Sequence, residues 1–289
     1  MKVDFFIVGV PKAGTTSLYH YLNEHPQIEM SSKKEPDFFS DAAIQKQAMY
    51  YGKNRIDTEE KYNRLFNTQK QNVIFGEASV SYFFYPTIAK DIKEYNTAAK
   101  IIIILRNPID RAFSHYLMDY RLGLVTDSFE DVINKKSKHK NAQLFYQQYV
   151  ELGEYATQLK RYFDAFEKEN ILLLDYEDFE RDVASTMRLV YSFLKIRVDF
   201  SADINQKHNV FTIPKNKLVH FLYSSQIIRN ILVLIFPNNI RKAIRIIMFK
   251  KDEKPELSEE TRNYLKDYFS NDVRLLGSLT GKDYSRWIK

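Results

Sequence analysis

The stretch Phe5-Phe6-Ile7-Val8-Gly9-Val10-Pro11-Lys12-Ala13-Gly14-Thr15-Thr16-Ser17-Leu18 decides how this chain folds. Aromatic and β-branched residues run to Gly9, as they do in a buried strand. A short loop carrying Lys12 and Gly14 follows, and Thr15, Thr16 and Ser17 then open a helical pattern that ends near Asn23. A strand, a loop and a helix N-terminus in that order make an anion site, because free backbone N–H groups and the positive end of the helix dipole converge there. Gly9 and Gly14 let the backbone turn and come close to the anion. A loop for a magnesium-bound nucleoside triphosphate places lysine directly after its second glycine. Here Thr15 stands in that place and the lysine, Lys12, sits inside the loop. The predicted anion is therefore a phosphate group of another kind of ligand.

A second stretch narrows the choice. Ile101-Ile102-Ile103-Ile104-Leu105 is a continuous apolar run, expected of a strand covered on both faces of a parallel sheet. It ends in Arg106-Asn107-Pro108, and Pro108 suits the first turn of a helix. An arginine at the carboxyl end of such a strand points to the ligand crevice of an open α/β sheet. Ser114, two helical turns further on, is within reach of a second phosphate.

These two segments, with Arg111-Ala112-Phe113-Ser114-His115-Tyr116, resemble the paired cofactor motifs of the sulfotransferases. Lys33-Lys34-Glu35-Pro36-Asp37-Phe38-Phe39 and Gly76-Glu77-Ala78-Ser79-Val80-Ser81-Tyr82 resemble segments of that family's carbohydrate branch, which includes heparan sulfate sulfotransferases. Leu173–Phe179 and Asp283–Trp287 are similar to bacterial members, so the resemblance spans nearly the whole chain. It implies a P-loop-like α/β fold and a donor, 3′-phosphoadenosine 5′-phosphosulfate (PAPS), that leaves as adenosine 3′,5′-bisphosphate. It also implies transfer of the sulfuryl group to a hydroxyl, here expected on a carbohydrate, with no metal required. A small alcohol, a lipid or a protein tyrosine is the alternative acceptor. A P-loop kinase would need the missing lysine, and a noncatalytic nucleotide-binding module would bind without turnover.

The resemblance implies roles residue by residue. Lys12, Ala13, Gly14, Thr15, Thr16 and Ser17 surround the 5′-phosphosulfate, and Lys12 stabilises the charge that develops as the donor bond breaks. Arg106 and Ser114 hold the 3′-phosphate, with Lys215 as the preferred further contact. Glu35 is the candidate general base; burial among Phe38 and Phe39 is expected to raise its pKa. A surface pair with Lys33 or Lys34 is the plainer reading of Glu35, and His115 and His20 are rival bases. Lys34, Glu77 and Tyr82 are expected at the acceptor, Tyr82 as part of a stacking platform. The chain departs from the branch in having Asp37 where histidine is frequent and Ala78 where heparan-type members carry lysine.

Composition fits an enzyme of this kind. The chain has 289 residues, 44% of them hydrophobic, enough for a large core. There is no cysteine, so disulfides and thiolate metal sites are excluded. The net charge of +6 suits an anionic ligand; no nucleic-acid motif accompanies it. With no repeat and no Pro/Gly/Ser-rich linker, one domain over 1–289 is expected, cytoplasmic, with no leader ahead of the first strand. Residues 227–251 are apolar but broken by Arg229, Asn230 and Pro237. They read as helices over the core or, alternatively, as a peripheral membrane contact.

Strands are predicted near Asp4–Val8, Val73–Phe75, Ile101–Leu105 and Ile171–Asp175. Helices are predicted at Thr15–Asn23, Thr58–Phe66, Thr87–Tyr95, Ile109–Leu122, Glu154–Glu167, Val183–Leu194 and Ser258–Leu279. The alternation predicts a mostly parallel sheet with helices on both faces.

Overall fold

A computed structural model describes residues 1–50, 55–203, 212–214, 240, 249–251 and 255–289. The chain forms two compact units, one built from 1–111, 152–208 and 266–289 and the other from 112–151 and 209–265.

The first unit holds a five-stranded sheet: β1 (Phe5–Gly9), β2 (Ile28–Met30), β3 (Ile74–Ala78), β4 (Lys100–Leu105) and β5 (Ile171–Asp175). Their order is β2-β3-β1-β4-β5, and every pairing is parallel. β1 pairs with β3 through Phe5–Gly76 and with β4 through Ile7–Ile102. β1 and residues Ile101–Leu105 of β4 are wholly buried. Their β-branched and aromatic side chains each contribute about 1.5–3 kcal/mol by leaving water. The chain runs from β1 to the far edge, returns to β3, and crosses β1 to reach β4. The strand order thus reverses around β1, and a crevice outside the carboxyl ends of strands is the usual ligand position at such a point.

Helices flank the sheet. α1 (Thr15–Asn23) packs on β1 and β2; α9 (Tyr176–Arg181) and α10 (Val183–Leu194) pack on β5; α4 (Ile88–Tyr95) packs against α8 (Tyr155–Ala165). Short helices α2 (Asp41–Lys46) and α3 (Glu59–Asn63) precede β3, and α5 spans Pro108–Arg121. Asn107 accepts the Ile109 N–H at 3.0 Å, the cap expected just before a proline-initiated helix.

The second unit contains α6 (Phe129–Ile133), α7 (Ala142–Tyr149) and a two-stranded antiparallel pair, β6 (Thr212–Pro214) with β7 (Phe249–Lys251). Its described core is aromatic: Phe113, Tyr116, Phe129, Phe145 and Tyr149 lie ring to ring. α11 spans Glu259–Thr280.

The predicted α/β class stands, with the sheet entirely parallel in this five-stranded part. Helix α1 and helix α10 match their predicted bounds. The strand predicted near Val73–Phe75 runs on to Ala78, and β2, α2, α6, α7 and α9 lay outside the predictions. Among the described residues no helix is long and apolar enough to cross a membrane. Of 227–251, only Ile240 and Phe249–Lys251 are described, so the expectation for that segment, like the one for Lys215, lies outside the described residues.

Candidate active site

The loop after β1 is built to leave a helix N-terminus open. Lys12 and Gly14 take left-handed backbone angles, φ 69° and 80°. Gly14 precedes α1 with no side-chain cap, and the first turn of α1 carries no acidic residue. The N–H groups at that end therefore lack the side-chain acceptor that helix starts usually recruit. Ala13 and Thr15 are buried beneath the turn, while Thr16 and Ser17 are half-buried. A Cβ at Gly14 would also sit tightly, 3.1 Å from the Phe179 ring and 3.3 Å from the Tyr176 ring.

Arg106 ties the second motif to the first. Its Nη1 donates to the Lys12 carbonyl at 2.7 Å, and its guanidinium lies 4.4 Å from the centre of the Tyr176 ring. That stacking is the planar cation's favoured arrangement on an aromatic face. The Arg106 carbonyl accepts from the Tyr155 hydroxyl at 2.9 Å. Glu177 lies next in the chain to Tyr176 and accepts the Asn107 N–H at 3.4 Å; burial and the hydrogen-bonded neighbour Asp175 push its carboxyl upward. Arg286 donates to Asp175 at 2.5 Å. Lys12 and Arg106, far apart in sequence, are thus brought together. Ser114 lies on α5 in the second unit.

The loop from Lys33 to Phe39 docks on the end of β3. Glu35 N–H donates to the Ala78 carbonyl at 2.8 Å, and Asp37 N–H donates to Ser79 Oγ at 3.0 Å. Glu35 is not buried among Phe38 and Phe39 as expected. Its side chain is 42% exposed and pairs with Lys34. The two phenylalanines instead join Tyr62 and Tyr82, with Phe38 stacked on Tyr62 at 4.4 Å. The carboxylate that burial perturbs on this loop is Asp37, pushed up to about 6 mainly by desolvation, with Ser81 donating to it at 2.6 Å.

Glu77 and Tyr82, expected at the acceptor, are each 0% exposed. A side chain with no accessible surface does not touch an acceptor, so both are corrected to interior roles. Glu77 accepts hydrogen bonds from Tyr62 at 2.5 Å, Ser79 at 2.5 Å and Tyr82 at 3.2 Å. Burial pushes its carboxyl up to about 7. Of the rival bases, His115 is 3% exposed and set edge-on to Tyr149, and His20 lies edge-on to Tyr19. His25 is structural: its Nδ1 accepts the Gln27 N–H, which leaves Nε2 to donate to the Arg197 carbonyl.

Sequence reasoning missed Tyr176, Phe179 and Tyr155 as supports of the two motifs. The Leu173–Phe179 segment carried a signal, its resemblance to relatives, but no role. Nothing marked Tyr155, whose hydroxyl reaches back 49 residues.

Among the described residues no cluster of His, Cys, Asp and Glu is placed to hold a metal ion. Comparison with known proteins gives a consistent picture. The sulfotransferase domain family model matches residues 2–277. Carbohydrate sulfotransferase 15 of Rattus norvegicus is 28% identical over 243 aligned residues, covering 66% of this chain and 43% of that protein. Bifunctional heparan sulfate N-deacetylase/N-sulfotransferase 2 of Bos taurus is 28% identical over 196 residues, covering 66% of this chain and 22% of the relative. The chain thus spans less than half the length of these curated relatives. The crystal structure of a sulfotransferase from Alicyclobacillus acidocaldarius superposes with a TM-score of 0.73 at 30% identity, covering 100% of both chains.

Proposed function

This chain belongs to the sulfotransferase domain family, and on that premise we propose that it moves a sulfuryl group from PAPS to a carbohydrate hydroxyl. The observation that carries the donor assignment is the open N-terminus of α1, under a loop clasped by Arg106. An uncapped helix start with no acidic first turn suits the dianionic 5′ group. The Arg106 guanidinium supplies the planar cation for the 3′-phosphate. In the transfer, the acceptor oxygen bonds to sulfur as the bond from sulfur to the bridging phosphate oxygen breaks. Lys12 faces the charge left on that oxygen, and Glu35 takes the acceptor proton. Glu35 is exposed enough to meet an acceptor, and its carboxylate pairs with Lys34.

The carbohydrate acceptor rests on the two carbohydrate-directed relatives and on the Lys33–Phe39 loop. The test has two arms. Adenosine 3′,5′-bisphosphate is expected to raise the thermal midpoint well above the effect of AMP, by mass action on the folded state. Equal effects would remove the 3′-phosphate role of Arg106. Sulfur-labelled PAPS is then offered with glycans, simple alcohols, lipids and tyrosine peptides. Label entering a peptide or lipid and no glycan would overturn the acceptor and leave the donor standing.

A further inference from the structure

Glu77 is fully buried, yet its hydrogen-bond partners are three hydroxyls rather than a cation. Two of those hydroxyls have a second partner. Ser79 Oγ receives the Asp37 N–H at 3.0 Å, and Tyr82 Oη receives the Phe39 N–H at 3.3 Å. A backbone N–H only donates, so each hydroxyl accepts there and must send its own proton elsewhere. For both, that proton goes to Glu77. One carboxylate therefore sets the direction of four hydrogen bonds, two of which end on the loop that carries Glu35. That loop needs holding: Glu35 and Asp37 sit at φ 58° and 56°. Non-glycine residues keep such angles only where the surroundings impose them.

We propose that Glu77 is a positioning residue for the acceptor loop, fixing the Asp37 and Phe39 backbone through Ser79 and Tyr82 and so holding Glu35 in place. This rests on the role given to Glu35 above. A polar group that merely filled the core would be replaceable by its isostere. Glutamine at this position is not equivalent, because its amide nitrogen donates. It would face a hydroxyl whose own proton then has no acceptor while its oxygen still serves a loop N–H. Tyr62, the third donor, anchors the carboxylate from α3 and stacks on Phe38 of the loop at 4.4 Å.

The experiment is amide hydrogen exchange on the full chain, wild type and variants, with adenosine 3′,5′-bisphosphate present. Ser79 and Tyr82 donate to different oxygens of Glu77, so Glu77→Gln is expected to speed exchange at Asp37 or at Phe39, whichever hydroxyl the amide nitrogen faces, by at least about tenfold, as local opening does. Ser79→Ala is expected to release Asp37 alone and Tyr82→Phe to release Phe39 alone. Ser79→Thr keeps the hydroxyl and is expected to restore Asp37. The Leu18 amide, bonded to the Gly14 carbonyl, is expected to stay unchanged. If Glu77→Gln does not fold, the Ser79 and Tyr82 variants carry the test. Wild-type exchange at Asp37 and Phe39 in these variants overturns the proposal. So does loosening spread evenly over the chain, which a merely structural role would give. On an accepted glycan, Ser79→Ala is expected to lower kcat by about 10²-fold, the cost of a misplaced group, with the KM for PAPS unmoved. An unchanged kcat on a released loop would overturn the link to Glu35. The exchange arm needs no acceptor, so a failure to sulfate any glycan is distinguishable from a failure of this inference.

Discussion

Arg106 shows how much rests on one side chain. Its Nη1 holds the Lys12 carbonyl and its flat face lies on Tyr176. Arg106→Ala is expected to lose most of the extra thermal stabilisation that the bisphosphate has over AMP. Arg106→Lys keeps a charge but not the planar fork, so it is expected to recover only part of that difference. Full recovery in a thermal-shift titration would mean that charge alone matters. Glu35→Gln is expected to bind the bisphosphate normally and lose roughly 10²–10⁴-fold in turnover, the range for a general base. His115→Asn, at a 3% exposed site, is expected to stay near the wild-type rate. The reverse order in steady-state kinetics would transfer the base to His115. At this scale the sequence marked out the two segments that the Arg106–Lys12 hydrogen bond joins. It was misleading at Glu77 and Tyr82, because proximity to a motif in sequence says nothing about depth. In the interior Glu77 meets Tyr62, a partner from α3 that no local pattern announces.

Among the elements, β3 is the one whose boundary the pattern concealed. Gly76 and Glu77 interrupt its apolar run, so alternation stops while the pairing with β1 continues through Ala78. Gly76 has a steric reason to be there. A Cβ at that position would stand 2.1 Å from Phe5 Cζ and 2.7 Å from Met30 Sδ. Gly76→Ala is therefore expected to destabilise the fold by about 1–3 kcal/mol, the usual cost of overfilling a core. Urea unfolding measures it, and an unchanged midpoint would contradict the crowding. Long periodic helices were readable: α1 and α10 have strong faces and clear ends. The missed elements are short. β2 has 3 residues and α6 has 5, too few turns of any period to stand out.

At the scale of the molecule, buried carboxylates set the response to pH. Burial pushes Asp37 and Asp272 up to about 6 and Glu77 up to about 7, and Glu177 moves the same way. Each holds its proton more tightly in the folded chain than in the unfolded one. The stability they contribute is complete below the ordinary carboxylate range and is lost as pH rises through those values. Asp57, Asp182 and Asp283, lowered chiefly by hydrogen bonds, act in the opposite sense and only in acid. The urea midpoint is expected to fall between about pH 5 and pH 8, and Glu77→Gln to flatten that fall. A midpoint that climbs over this window would refute the assignment. The alternation of strands and helices made the parallel sheet legible as a whole. The division into two units was not, because they interleave along the chain and no linker composition marks where it passes from one to the other.

Trp287 is the chain's single tryptophan, 2% exposed, with its ring 4.5 Å from Tyr284 and 6.2 Å from Tyr155. Tyr155 is the residue whose hydroxyl holds the Arg106 carbonyl. The molecule thus contains its own optical gauge of the turn proposed to receive the donor. Excitation at the red edge selects this one indole from 20 tyrosines. Its emission should start blue, as a dry ring does, and change on titration with adenosine 3′,5′-bisphosphate. Substitutions in the Lys33–Phe39 loop should leave that titration signal intact, so a nucleotide dissociation constant becomes readable without a label and without knowing the acceptor.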